Sequence, residues 1–219
     1  EYEDDQVKVH VTASEEGIIP DHASLKVVPL VKQEVTSEMT DEQKQEVEAI
    51  NKKYDEAEKK LTEKAEKEAY DIAGFLAYDI SLVDADGNKV EPNGDVKVTM
   101  DYKQSVIAED AVQTVNDTEG IDSTADLNVT VMHLEEDEKG NVKNVVDMVA
   151  DENEEANIKT TDEQSVQKAE FVSDSFSVFT LTWKTWSWTS VKIEVVDTEG
   201  NGIGSNFEGK SITTVTTLR

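Results

Sequence analysis

The chain has 219 residues, of which 49 are acidic and 21 basic, giving a formal net charge of -28 at pH 7. A surface this acidic repels the phosphates of nucleic acids and of anionic lipids, so nucleic-acid binding is excluded. The sequence contains no cysteine, which excludes disulfides, thiolate zinc sites and cysteine nucleophiles.

Composition also bears on where the protein works. Cysteine-free chains with several tryptophan and tyrosine residues are common among exported proteins of Gram-positive bacteria, and this chain has three Trp and five Tyr. No run of about 20 apolar residues is present, so we expect no membrane insertion by this segment. The first residue is Glu1 rather than Met, from which we expect a fragment whose sorting signals and wall anchor lie elsewhere. The expected location is extracellular, on a bacterial cell surface.

The N-terminal region has the alternating pattern of β-strands. Valine occupies every second position from Val7 to Val11, with polar residues between, which predicts a half-buried strand over residues 6–12. The segment Gly17-Ile-Ile-Pro20 interrupts the alternation, and residues 25–31 predict a second strand.

A change of period after residue 39 predicts one long inserted helix over residues 40–72. Thr40 and Gln43 form a capping box, and neither Gly nor Pro follows until Gly74. Apolar residues recur every three or four positions, at Val47, Ile50, Tyr54, Ala57, Leu61 and Ala65. Because this apolar stripe is narrow and partly alanine, we expect the helix to bury little area and to contribute only modestly to stability.

Beyond Gly74 the two-residue period returns, and turn sequences separate the apolar runs. Strands are predicted over residues 75–83, 95–102, 127–134, 142–149, 165–172 and 176–183. Turns are predicted at 84–88, 91–94 and 137–141, and polar loops at 109–126 and 150–164. The predicted fold class is mainly β, an antiparallel β-sandwich over residues 1–185 that contains the helical insert.

The C-terminal segment predicts a small, partial β-module over residues 186–219. Residues 191–195 alternate, residues 197–201 have turn chemistry, and residues 210–218 are rich in Thr and Val. All three tryptophans lie near the junction, at Trp183, Trp186 and Trp188. They predict either a buried joint between modules or an exposed binding surface, since tryptophan is frequent in both.

Four motifs in order resemble a repeated domain of large cell-wall proteins in gut Firmicutes. They are residues 17–20 (GIIP), 78–92 (YDISLVDADGNKVEP), 131–134 (VMHL) and 174–179 (DSFSVF). Such domains look like the β-sandwich shared by zonula occludens proteins, netrin receptors and ankyrins. The resemblance covers roughly residues 6–183, and it departs from the family at Lys89, where an acid is more usual.

Some surface proteins of this class in gut commensals bind antibody variable domains in a superantigen-like manner. The resemblance therefore implies a host-protein partner, with the immunoglobulin heavy-chain variable domain as the best guess. No motif carries that activity residue by residue, so the candidate binding residues are chosen from the chain itself. They are Lys53 and Tyr54 on the helix, and Trp186 and Trp188 at the junction. A solvated helix face and a buried joint are the plainer interpretations of these positions.

Candidate catalytic and metal-binding patterns are weak. His133, Ser177 and Asp174 could form a triad, but nothing in their spacing supports one. Some domains of this shape cleave themselves at a His-Phe-Ser turn, and here Ser175 stands in place of that histidine. The turn at 84–88 has calcium-loop residues, but its glycine is misplaced for such a loop. We expect no enzyme activity, no cofactor and no metal.

These observations predict a non-enzymatic cell-surface module that binds a host protein. One alternative is a passive stalk that spaces a distal domain from the cell wall. Another is a self-processing surface domain that cuts its own chain before Ser177. The stalk predicts no partner, so Tyr54→Ala and Lys53→Glu should change only local stability, and a loss of ligand capture by either variant would contradict it.

Overall fold

A computed structural model describes residues 1–118, 121–137, 139–149 and 156–186, with the backbone alone at Trp186. The described part of the chain forms two antiparallel sheets that share a core, together with two helices. The prediction of a mainly β, antiparallel sandwich with one long helix is confirmed. The predicted β-module over 186–219 lies outside the described residues, apart from the backbone of Trp186.

The elements follow one another along the chain in this order. The strands are β1 (Tyr2–Glu3), β2 (Val7–Ala13), β3 (Ser24–Leu30), β4 (Tyr70–Val83), β5 (Lys89–Val90), β6 (Val96–Val106), β7 (Asn128–Glu136), β8 (Val142–Asp147), β9 (Asn157–Thr160), β10 (Val166–Ser173) and β11 (Val178–Trp186). The helices are α1 (Asp41–Glu68) and α2 (Glu109–Asp117), and a 3-10 turn covers Thr124–Asp126.

Long-range antiparallel pairing builds both sheets. The first sheet has the order β1-β2-β6-β10-β9, and the second has the order β3-β4-β11-β7-β8, with β5 pairing the end of β4. In the first sheet Val9 lies opposite Met100, which lies opposite Ala169, so one buried row crosses three strands. The alternation in the sequence fixes this register, because a slip of one residue would turn every apolar side chain outward.

The main hydrophobic core lies between the two sheets. Phe171 of the first sheet and Phe179 of the second have ring centroids 5.0 Å apart, a favourable distance for an aromatic pair. Trp183 is fully buried in the same core, and its Nε1–H donates to the carbonyl oxygen of Gln164 at 2.8 Å. Trp183 is therefore a core residue whose one polar group is satisfied.

Helix α1 covers the outer face of the second sheet through a second hydrophobic core. Ala57, Leu61 and Ala65 of the helix are buried against strand residues. Those strand residues are Leu30, Tyr70, Phe75, Ala77, Met132, Leu134, Val142 and Val178. Leu61 is the only one of these three helix residues larger than alanine, and the expectation that the helix buries little area stays a prediction.

Helix α1 ends before residue 72, where the predicted insert ended. Ala69 adopts a left-handed conformation with φ 59°, and its N–H donates to the carbonyl oxygen of Ala65. Strand β4 then begins at Tyr70. The residue at such a left-handed cap is usually glycine, so the alanine at this position does not mark the end of the helix in the sequence.

Two segments predicted as polar loops contain regular structure. Residues 109–126 include α2 and the 3-10 turn, and residues 150–164 include β9. Helix α2 packs closely on β4, since a Cβ at Gly74 would lie 2.5 Å from the backbone nitrogen of Ala111. Thr114 Oγ1 also donates to the carbonyl oxygen of β4 residue 73 at 2.8 Å. The loop prediction is wrong because this helix depends on a tertiary contact with β4.

Candidate functional site

The N-terminal half of α1 is fixed by its cap and by the segment that precedes it. The predicted capping box is confirmed, since the Gln43 N–H donates to Thr40 Oγ1 at 3.2 Å and the Thr40 N–H donates to Gln43 Oε1 at 2.9 Å. Asn51 exchanges two hydrogen bonds with the backbone of Gln33, at 2.9 and 2.7 Å. The segment around Gln33 is therefore held against the helix.

Tyr54 lies on the side of α1 that faces the second sheet. Its ring stacks on Phe75, with centroids 4.9 Å apart and an interplanar angle of 28°. The ammonium group of Lys32 lies 5.5 Å from the centre of the Tyr54 ring, within cation–π range. Partial burial raises the pKa of the Tyr54 hydroxyl, and the carboxylates of Asp110 and Glu58 raise it further. Tyr54 is thus an ordered, partly exposed aromatic residue in acidic surroundings.

Two of the exposed apolar side chains lie on the segment whose Lys32 contacts Tyr54. Val31, Val35 and Val112 are 58%, 44% and 39% exposed, and they are the exposed large hydrophobic residues of the described ranges. The two earlier valines flank the segment held by α1, whereas Val112 lies on α2. We use the name Tyr54 surface for Val31, Lys32, Val35 and Tyr54. The sequence analysis did not single out its valines, because Val31 is the last residue of a predicted strand and Val35 lies in the connection to α1.

Lys53 points to a different part of the second sheet. Its Nζ lies 2.5 Å from Asp79 Oδ2 and 4.0 Å from Glu136 Oε1. Asp79 Oδ1 is buried and accepts no hydrogen bond within the described chain, although Lys89 Nζ lies 3.6 Å away. Lys53 therefore ties α1 to β4, a structural role that the sequence analysis did not predict for it.

The remaining predicted binding residues lie at the end of the described chain or beyond it. Trp186 is the last residue of β11 and pairs with Tyr70 of β4. Its side chain and the whole of Trp188 lie outside the described residues. Their part in binding stays a prediction.

The fold brings His133 and Ser177 together, although they are 44 residues apart. His133 Nε2 lies 2.9 Å from Ser177 Oγ, and both side chains are buried. The His133 ring stacks on Phe179 at 4.2 Å with an interplanar angle of 8°. Burial lowers the pKa of His133 to about 4, so the imidazole is neutral at pH 7.

The hydrogen-bond directions show that His133 does not activate Ser177. The Ser177 hydroxyl donates its single proton to the carbonyl oxygen of Leu134 at 2.6 Å, so His133 Nε2–H must be the donor to Ser177 Oγ. A general base would instead have to accept the serine proton. Asp174 accepts a hydrogen bond from Ser175 at 3.1 Å and makes none with His133. His133 and Ser177 thus form a buried structural pair, and Asp174 belongs to a separate turn.

Two hairpin turns share the pattern Asp-x-x-Gly-Asn, at 84–88 and 137–141. In each turn the aspartate Oδ1 accepts backbone N–H groups two and four residues further on, at 2.8 to 2.9 Å. The backbone and asparagine donors lower the pKa of Asp84 and of Asp137. These two carboxylates therefore hold their turns closed. The residues that the structure describes contain no cluster of three or more metal-ligating side chains.

The helices of the described ranges include none that is long and apolar enough to cross a membrane. Comparisons with protein-family models, curated proteins and solved structures found no match for the chain. The function is therefore inferred from the chain's own residues and their arrangement.

Proposed function

We propose that this chain is a non-enzymatic module of a bacterial cell surface that binds a host protein through the Tyr54 surface. The best candidate partner is the heavy-chain variable domain of an antibody, which the resemblance of the four motifs implies. The supporting observation is that the exposed residues Val31 and Val35 lie on the segment whose Lys32 sits over the partly exposed Tyr54 ring, on a chain of net charge -28. Exposed apolar residues that share one region are typical of interaction sites.

An apolar centre with a charged rim is a common composition for a protein-binding surface. Tyrosine is frequent among the residues that dominate binding energy, because it buries a large area and its hydroxyl forms hydrogen bonds. Stacking on Phe75 already orders the Tyr54 ring, so binding has little side-chain entropy left to remove. The rim carries the carboxylates of Asp55, Glu58 and Asp110, which favour a partner with basic residues at its own rim.

The direct test is binding of the purified chain to pooled mammalian immunoglobulin and to isolated heavy-chain variable domains. We expect Val31→Lys and Val35→Lys each to weaken binding by about tenfold or more, because an interface would have to desolvate the new ammonium group. Both valines are exposed, so the melting temperature should not change. Thr12→Lys adds the same charge at an exposed position of β2 and serves as the matched control.

The outcomes separate the surface from the partner. Immunoglobulin binding that survives both valine substitutions would contradict the use of the Tyr54 surface. Failure of the parent chain to bind either sample at micromolar concentration would remove antibodies as the partner. A passive stalk predicts that no host protein binds and that none of these substitutions has an effect.

A further inference from the structure

The Tyr54 ring already holds a cation, which is the ammonium group of Lys32. Phe75 stacks on the ring with centroids 4.9 Å apart, and Lys32 Nζ lies over the ring at 5.5 Å from its centre. The same Nζ lies 2.7 Å from Asp55 Oδ1. Both contacts attract positive charge, the ring through its quadrupole and the carboxylate through an ion pair. The Tyr54 ring and the Asp55 carboxylate therefore have the arrangement of a cation receptor that the chain fills with its own side chain.

The surroundings of the ring are acidic even with Lys32 in place. Burial raises the pKa of the Tyr54 hydroxyl, and three carboxylates raise it further, while the Lys32 ammonium opposes the rise. The carboxylates belong to Asp55, Glu58 and Asp110. The hydrogen bond with Asp55 raises the pKa of Lys32, and the charges of Asp55 and Glu58 add to that rise. One ammonium group is thus set against three carboxylates, so this part of the surface favours cations and repels anions.

The backbone places Lys32 beside the ring, but its side chain can be displaced. Asn51 exchanges two hydrogen bonds with the backbone of Gln33, which fixes the residue next to Lys32. The side chains of Lys32 and Asp55 are 55% and 58% exposed. Ion pairs this exposed contribute little to stability, because water solvates both partners when they separate. Lys32 can therefore turn into solvent while the backbone of its segment stays in place.

We propose that the Tyr54 ring and the Asp55 carboxylate bind an arginine side chain of the partner protein, and that Lys32 occupies this site until the partner displaces it. The inference rests on the proposed use of the Tyr54 surface and adds the chemistry of the central contact. A guanidinium is planar and stacks on an aromatic face, whereas an ammonium group is a point charge. Its fork of N–H groups also donates two parallel hydrogen bonds to one carboxylate. Arginine therefore fits this site better than the lysine that it replaces.

Occupation by Lys32 has a consequence for affinity. A site that the chain covers itself binds its partner more weakly, because only the uncovered fraction of molecules is competent to bind. Removal of the Lys32 ammonium should therefore strengthen binding of the arginine, although Lys32 belongs to the Tyr54 surface. Removal of a side chain that contacts the partner directly would weaken binding. The sign of the change thus distinguishes an occupying lysine from a contact lysine.

The test is an NMR titration of the full chain with acetyl-arginine-amide and with acetyl-citrulline-amide, its neutral analogue. We expect the arginine compound to cause saturable shifts of the Tyr54 ring, with a dissociation constant on the order of 1 mM, and the citrulline compound to cause none. Lys32→Gln should tighten arginine binding by about threefold or more. Lys26→Gln removes the same charge at an exposed position of β3 and should leave the affinity unchanged.

Two further substitutions test the two halves of the site. Asp55→Asn should weaken arginine binding by about threefold or more without a change in melting temperature, because Asp55 is exposed. Tyr54→Leu removes the ring and should abolish the saturable binding, which is then followed at the neighbouring Phe75 ring. Tyr54→Phe keeps the aromatic face and should restore most of the binding that Tyr54→Leu loses.

Three results would overturn the proposal. The first is an absence of saturable shifts with the arginine compound in both the parent chain and Lys32→Gln. The second is equal binding of the citrulline compound, and the third is arginine binding that Lys32→Gln leaves unchanged or weakens. Immunoglobulin binding that Val31→Lys weakens and Lys32→Gln does not strengthen would also overturn it, while leaving the proposed function intact. Saturable arginine binding without immunoglobulin binding would support the arginine site and remove antibodies as its partner.

Discussion

Leu61→Ala tests whether α1 is part of the folded core. Leu61 is 0% exposed in the second hydrophobic core, in the C-terminal half of the helix. The substitution removes three carbon atoms, and at about 0.8 kcal/mol for each buried methylene the lost transfer free energy is about 2.4 kcal/mol. The helix is held at Asn51 by Gln33 and at Lys53 by Asp79, so it cannot collapse fully into the gap and a cavity remains. We expect the free energy of unfolding to fall by roughly 3 kcal/mol.

Urea unfolding followed by far-ultraviolet circular dichroism and by intrinsic fluorescence measures this loss. The two transitions should coincide, with a lower midpoint and an unchanged dependence on urea concentration. Thr62→Ala is the matched control, since Thr62 is exposed and its hydroxyl donates only to the carbonyl oxygen of Glu58 in the same helix. We expect the control to change stability by less than about 0.5 kcal/mol. A loss below about 1 kcal/mol for Leu61→Ala, or a helical signal that melts before the fluorescence signal, would refute the reasoning.

Gly74→Ala should lower the free energy of unfolding by roughly 1–3 kcal/mol, because the new Cβ would overlap the backbone nitrogen of Ala111. An unchanged melting temperature would show that α2 can move away. Burial lowers the pKa of His133 to about 4, while the unfolded imidazole takes up its proton near its ordinary pKa of about 6.5. The free energy of unfolding should therefore fall as the pH drops from about 6.5 towards 4, by up to about 3 kcal/mol, and His133→Gln should flatten that part of the pH profile. The intact mass should stay constant on long incubation, because Ser177 donates its proton to the carbonyl oxygen of Leu134. A cut before Ser177 would contradict that hydrogen-bond assignment.

Sequence patterns predicted those parts of the fold that depend on local chemistry. Alternating valines located β2, and the Thr40 capping box located the start of α1. The end of α1 was missed because Ala69 takes a backbone conformation that only its surroundings reveal. Helix α2 was missed because its cap residue, Ala108, makes no side-chain cap hydrogen bond and the helix depends on its contact with β4.

The candidate sites depended more on tertiary structure than on pattern. Tyr54 was identified from the sequence, but its stacking on Phe75 requires knowing which strand lies under the helix. The contact between His133 and Ser177 depends on the register of β7 against β11, in which Phe179 lies opposite His133. Spacing along the chain carries no information about any of these contacts.

The two Asp-x-x-Gly-Asn turns have a consequence for the order in which the chain folds. Each turn is closed by hydrogen bonds within itself, so it can form before any distant strand has arrived. Strand β4 pairs with β11, and β2 pairs with β6, only after long stretches of chain have been brought together. Such pairings are slow because the entropy of loop closure is lost before the contacts are gained. We therefore expect the hairpins β4–β5 and β7–β8 to form early, and the folding rate to be set by the later meeting of β4, β7 and β11.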